Sequence, residues 1–262
     1  RNNDFKLFYQ PQFDLKRNCY IWGEALIRWI DPVDGFIAPD KFIPIAEESS
    51  LILDIGNWVI ENVCKTLAEY KDELEKMGLK GFAINLSSKQ FFSENLVDDI
   101  RTIFERYEIP PSKIEFELTE SLVMEDIEQA VSIMGSLRDL GCKLSIDDFG
   151  TGYSSLSYLK QFPINSVKID RSFITGIPYD KNDVEISAAI IAMAHKLGLE
   201  TVAEGVETEE HLNFLEQQQC EYIQGYLLAK PMPIEDLIKF DTQVITLSGD
   251  KKRKTGIKPP LH

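Results

Sequence analysis

Seven apolar runs in this chain end in, or are interrupted by, a side chain that could bind a cation or a phosphate. In order they are Gly23-Glu24-Ala25-Leu26, Ile84-Asn85-Leu86-Ser87, Phe116-Glu117-Leu118-Thr119-Glu120, Ile146-Asp147-Asp148-Phe149-Gly150, Val167-Lys168-Ile169-Asp170, Ala203-Glu204-Gly205 and Ile223-Gln224-Gly225. Glu24, Asn85, Glu117 and Asp147 together offer three carboxylates and one amide. That is a hard oxygen set suited to Mg²⁺ or Mn²⁺. Phosphodiester hydrolysis needs an activated water and charge stabilisation on the attacking and leaving oxygens, and paired divalent cations supply both. With three histidines in the chain, a histidine-rich zinc or di-iron site has little support. A lone Asp or Glu is ordinarily a solvated charge or a helix cap. Glu120 could start a helix near Glu125, and Asp170 could cap a turn before Phe173. Glu24, Glu117 and Asp147 interrupt or end apolar strands, where an unpaired carboxylate costs several kcal/mol. Lys168 could form a Schiff base or pair with a neighbouring carboxylate.

One polar group per strand end is the signature of a parallel α/β barrel, whose strand tips converge on one active site. The patterning agrees. Phe5–Phe13 and Cys19–Trp29 read as a hairpin, and further strands are expected at 81–86, 113–118, 143–146, 166–169, 200–203 and 222–223. Helices are expected at 39–48, 51–77, 93–107, 125–140, 183–197 and 208–218. Gly78, Gly141 and Gly198 follow helical patterns, where a left-handed cap needs a residue without Cβ. Pro110-Pro111 forces a turn before the next strand. The alternation predicts a TIM-like (β/α)₈ barrel with right-handed crossovers. Its first strand must be antiparallel, because the hairpin loop is too short for a crossover. The barrel is expected over residues 1–240, followed by a flexible tail over 241–262 that carries Lys251-Lys252-Arg253-Lys254.

The length of 262 residues and 44% hydrophobic content match one such barrel of about 250 residues. A net charge of -15 argues against a nucleic-acid polymer as partner, yet permits a small phosphorylated ligand if cations invert the local sign. No apolar run approaches the roughly 20 residues needed to cross a bilayer, and no signal peptide opens the chain. Cys19, Cys64, Cys142 and Cys220 form no close pair, so reduced and mostly buried thiols are expected. The expected setting is a cytoplasmic domain of a longer protein, which the sequence leaves free to be membrane-anchored.

Glu24-Ala25-Leu26, followed by Arg28, resembles the signature of the EAL domain, the bacterial cyclic di-GMP phosphodiesterase module. The resemblance runs from about Phe5 to Leu237. It includes Tyr9-Gln10-Pro11, Asn85-Leu86-Ser87, Glu117-Leu118-Thr119-Glu120, Asp147 to Ser155, Lys168-Ile169-Asp170, Ala203 to Glu207 and Gln224-Gly225-Tyr226. The tripeptide alone carries no weight; the ordered set is specific. The resemblance implies two divalent cations, Mg²⁺ or Mn²⁺. The first would be held by Glu24, Asn85, Glu117 and Asp147, the second by Asp147 and Asp148. It further implies that Lys168 positions the attacking water and that Arg28 contacts phosphate. Glu204 would be a general base or a second-cation ligand, and is assigned a catalytic role. The loop Asp148 to Ser155 would couple dimerisation to the cations, with Glu120 as its anchor. Gln10 and Gln224 are candidate ligand contacts, with structural hydrogen bonds the competing role.

Two positions depart from the family pattern. Ser50 stands where glycine is common, and a positive φ there would carry modest strain. Leu227-Leu228-Ala229 replaces a more aromatic or polar stretch before Lys230-Pro231. On the helix expected at 183–197, Ile186, Ala189, Ile190, Met193 and Leu197 form a core stripe. Val184, Ala188, Ile191 and Ala192 widen it, through tight packing or as a homodimer face; His195 reads as a packing or surface residue. The expected activity is metal-dependent hydrolysis of cyclic di-GMP to linear pGpG, in a homodimer regulated by a fused or partner domain. The competing readings are a catalytically weak cyclic di-GMP receptor and a Schiff-base lyase using Lys168.

Overall fold

The computed structural model describes residues 4–152 and 156–240. Nine strands form one sheet: β1 (Phe5–Asp14), β2 (Cys19–Asp31), β3 (Gly35–Ile37), β4 (Gly81–Asn85), β5 (Ile114–Thr119), β6 (Lys143–Phe149), β7 (Ser166–Ile169), β8 (Glu200–Ala203) and β9 (Tyr222–Ile223). The order β1-β9-β8-β7-β6-β5-β4-β2, with β1 also paired to β2, closes eight of them into a barrel. The short β3 extends β2 beyond the ring. Strands β4 to β9 pair in parallel and β2 pairs in parallel with β4, whereas β1 runs antiparallel to both its neighbours. The barrel and its antiparallel first strand are therefore as the patterning predicts.

Side chains alternate along each strand, and that alternation separates core from site. On β5, Ile114, Phe116 and Leu118 are fully buried in the main apolar core, while Glu115 and Glu117 take the opposite face. Leu144 and Ile146 on β6, and Val167 and Ile169 on β7, join the same core. Ser145, Asp147, Ser166 and Lys168 alternate with them, so the polar residues face inward from three successive strands.

Several boundaries move. The helix expected over 51–77 is two, Leu51–Glu69 and Lys71–Met77, because Tyr70 leaves helical geometry at φ −108°, ψ 25°. Those expected from 93, 125, 183 and 208 become Leu96–Tyr107, Ile127–Leu140, Lys181–Leu197 and Glu209–Gln217. Gly78, Gly141 and Gly198 are left-handed caps as expected, at φ 81°, 109° and 74°. Ser50 does adopt a positive φ of 62°. The core stripe on Lys181–Leu197 holds in part: Ile190 is buried and Met193 and Leu197 pack against the core, whereas Ala189 is exposed and Ile186 is 38% exposed. Ser187, Ile191 and Ala194 complete the buried face. All four cysteines are free, three of them buried. No helix among the described residues is long and apolar enough to cross a membrane. The tail over 241–262 and Tyr153-Ser154-Ser155 of the expected loop lie outside the described residues.

Candidate active site

The register delivers the polar strand ends to one mouth of the barrel. Glu24 on β2 pairs with Gln10 on β1 and Ala83 on β4, Asn85 with Glu117, and Thr119 with Asp147. Lys168 of β7 is the hub of the cluster. Its Nζ lies 2.7 Å from Glu204 Oε1, 2.8 Å from Glu117 Oε2, 3.3 Å from Asp147 Oδ1 and 3.6 Å from Glu24 Oε2. Lys168 and Glu117 are each only 1% exposed. One ammonium thus faces four carboxylates in a dry environment, where such an imbalance is costly.

The protonation equilibria reflect that crowding. Burial, then the charge of Glu24, drives the Glu117 carboxyl well above the usual range, with Lys168 opposing. Burial lifts Glu204 to about 8, again against the pull of Lys168. Asp148 is pushed to about 6 by burial and by the charges of Asp147 and Asp170. Glu24 moves the other way: burial would raise it, but Lys168 and the amides of Gln224 and Asn85 hold it below the usual range. Burial would lower Lys168, yet Asp147, Glu117, Glu204 and Glu24 outweigh it, so the amine stays protonated. An ammonium is not a nucleophile, and four carboxylates around Lys168 Nζ favour ion pairing over the Schiff-base reading.

These residues fit a divalent cation. Glu117 Oε1 is buried and has no hydrogen-bond partner, an unusual position for a carboxylate oxygen. Carboxylate oxygens of Asp147, Asp148 and Glu204 lie within 4.8 Å of one another. Excess buried negative charge, an unpartnered acceptor and clustered hard oxygens are what such an ion needs.

The other expected residues fall around this cluster. Asn85 Nδ2 donates to Glu24 Oε1 at 2.7 Å. Gln224 Nε2 donates to Glu24 Oε2 at 2.6 Å and to Gln10 Oε1 at 3.1 Å, so both glutamines support Glu24 from within the barrel. Buried Glu120 accepts the Gly150 backbone N–H on Oε2 at 3.0 Å, tying the end of β5 to the loop after β6. Asp148 lies at the irregular end of β6, just before that loop, at φ 54° with its N–H on Asp147 Oδ1 at 2.9 Å. Asp170 caps the next turn, accepting the Ser172 N–H at 3.0 Å. Arg28 lies beside the acidic cluster, close enough to interact with the charge of Glu24. It lines a groove of about 500 Å³ with Phe8, Phe36, Tyr226 and Lys230, its guanidinium 5.8 Å from the Phe8 ring. His195 pairs with Glu221 at 2.9 Å, outside the site. Gln12, which the motifs do not single out, is buried and donates to Gln224 Oε1 at 2.9 Å. Its two-residue spacing from Gln10 on one strand is the signal that could have found it.

A closed α/β barrel with a lysine-centred acidic cluster at the carboxyl ends of its strands defines a TIM-type barrel enzyme scaffold with a cation-competent mouth. The EAL domain family profile matches residues 1–231, and the chain belongs to that family. It is 41% identical over 245 residues to the cyclic di-GMP phosphodiesterase NbdA of Pseudomonas aeruginosa, covering 92% of this chain and 30% of that protein. It is 42% identical over 232 residues to the bifunctional diguanylate cyclase/cyclic di-GMP phosphodiesterase MucR of the same organism, covering 88% of this chain and 34% of that protein. The chain therefore spans about a third of the length of these curated relatives. Among solved structures, it resembles the P. aeruginosa MucR phosphodiesterase in complex with c-di-GMP. There the TM-score is 0.85 at 42% identity, covering 89% of this chain and 94% of the other. The P. aeruginosa FimX EAL domain bound to c-di-GMP matches with a TM-score of 0.80 at 28% identity, covering 88% and 91%.

Proposed function

We propose that this chain is the catalytic barrel of a cyclic di-GMP phosphodiesterase, adding water across one phosphodiester bond to give linear pGpG. The observation that carries this reading is the Lys168 hub, whose carboxylates include the unpartnered Glu117 Oε1. The similarity to a phosphodiesterase solved with c-di-GMP supports the choice of substrate.

Glu24, Asn85, Glu117 and Asp147 would hold one Mg²⁺ or Mn²⁺, and Asp147 with Asp148 a second. Such ions act as Lewis acids on the phosphate and offset the charge of the attacking and leaving oxygens. Lys168 holds the carboxylates in place and offers N–H donors to the incoming water, in keeping with its distances of 2.7 and 2.8 Å to Glu204 and Glu117. Glu204, 2.7 Å from Lys168 Nζ, would take a proton as that water attacks phosphorus. The ribose oxygen would then leave and take a proton from solvent, while Glu204 returns its own to water. Arg28 presents a planar guanidinium to a phosphate beside the acidic cluster. Glu120 holds the Gly150 loop beside Asp147 and Asp148. Exposed Ile186 on Lys181–Leu197 supports a homodimer face, and unbridged thiols support a cytoplasmic domain. The partial coverage of the relatives supports control by a fused domain.

The decisive experiment is chromatography of cyclic di-GMP incubated with the chain and Mn²⁺ or Mg²⁺, with and without a chelator. Chelator-sensitive appearance of pGpG is expected. Tight binding with no product would replace the enzyme by a receptor.

A further inference from the structure

Gln12 plays no part in the reading above, yet it occupies the end of a buried amide chain that terminates on Glu24. A carboxylate oxygen accepts, and Glu24 Oε2 takes the Gln224 Nε2 at 2.6 Å. At the other end, the Ala229 backbone carbonyl also only accepts, so Gln10 must present its Nε2 there, at 3.0 Å. Gln10 Oε1 consequently faces Gln224 Nε2, at 3.1 Å. With both protons of the Gln224 amide committed, its Oε1 points away from the cluster and needs a donor. Gln12 Nε2 supplies it at 2.9 Å. Gln12, Gln10, Gln224 and Glu24 are 5%, 8%, 4% and 5% exposed, so water has little access to fill in for a missing partner.

We propose that Gln12 is a positioning residue: by donating to Gln224 Oε1 it holds that amide in place, and thereby keeps Glu24 oriented for the cation. Without it Gln224 Oε1 is left buried with no donor, and the amide regains one only by shifting off Glu24. The second neighbour of a ligand commonly governs ion affinity in this way. Gln12 reaches Glu24 through the Gln224 amide. The inference rests on the cation reading of Glu24 given above.

The test is Mn²⁺ binding to the full 262-residue chain, followed by electron paramagnetic resonance without substrate. Gln12→Met, Gln224→Met and the double variant complete a cycle, which separates action through a shared partner from independent effects. Gln12→Met is expected to weaken Mn²⁺ about tenfold or more. Added to Gln224→Met, it should cause no further loss. If Gln12→Met does not fold, Gln12→Asn, one methylene too short to reach, runs the same cycle. Unchanged Mn²⁺ affinity in the Gln12 variant, or fully additive losses, overturns the inference and leaves the cation site standing. A wild-type chain that binds no Mn²⁺ overturns the site reading itself, and Gln12's role with it.

Discussion

Lys168 and Glu117 form an ion pair of 2.8 Å in which both side chains are 1% exposed, at the centre of the barrel mouth. Neither charge reaches solvent, so each depends on what the barrel provides. The lysine is served by four carboxylates; the glutamate keeps one oxygen with no partner. This asymmetry means that altering the two residues has opposite consequences for the fold.

Lys168→Met removes the ammonium at the centre of the cluster and leaves the carboxylates to repel one another. Loss of one partner from a buried pair costs about 3–5 kcal/mol. Thermal melts in chelator should show that loss, partly recovered on adding Mn²⁺. Turnover of cyclic di-GMP should fall at least about a hundredfold at saturating Mn²⁺, since water positioning is also lost.

Glu117→Gln has the reverse profile. Burial already favours the neutral acid at this position, so a neutral amide relieves repulsion. The variant should melt in chelator at the wild-type temperature or above it. Its Mn²⁺ affinity should fall by more than about tenfold, with activity lost in parallel. Equal Mn²⁺ affinity in titration would remove Glu117 from the ligand set.

Gly225→Ala tests why glycine follows Gln224. A Cβ there would lie 2.1 Å from the Val206 carbonyl oxygen and 2.3 Å from its nitrogen, backbone atoms that cannot swing aside. Overpacking of this kind costs about 1–3 kcal/mol. The melting temperature should fall, and Mn²⁺ affinity with it, because Gln224 is displaced from Glu24.

Arg28→Ala should change Mn²⁺ binding little, since Arg28 feels the charge of Glu24 only at a distance and lines the neighbouring groove. The KM for cyclic di-GMP should rise about tenfold or more, the loss expected of a charge-assisted phosphate contact. Steady-state kinetics at saturating Mn²⁺ separate the two effects.

How much of this could be read beforehand depended on the range of the interaction involved. Strands Ser166–Ile169, Glu200–Ala203 and Tyr222–Ile223 and helix Pro39–Glu48 follow from local periodicity, and their expected bounds match. The glycine caps likewise depend on φ alone. The break at Tyr70 was hidden because helical patterning continues on both sides of it. On Lys181–Leu197 the apolar residues cover too much of the helix to mark one face, so the buried stripe had to come from packing. In the site, the chemistry of Glu24, Glu117 and Asp147 was legible from their interruption of apolar strands. That one lysine gathers four carboxylates was not, because the pairings span up to 144 positions in the chain and exist only after the barrel closes. Spacing alone sets Gln12 on the face of Gln10, but its partner, 212 residues away, is met only in the closed barrel.

The reversed direction of β1 has a consequence for architecture. Phe5 pairs with Trp29, near the far end of β2, so the polypeptide enters the barrel on the side where the other strands present their carboxyl ends. Anything joined ahead of Phe5 is delivered next to the reaction centre, where a small shift in its position can press on Arg28 or Phe8. In a barrel whose opening strand ran with the rest, the same attachment would arrive at the opposite pole, a full strand length from the chemistry.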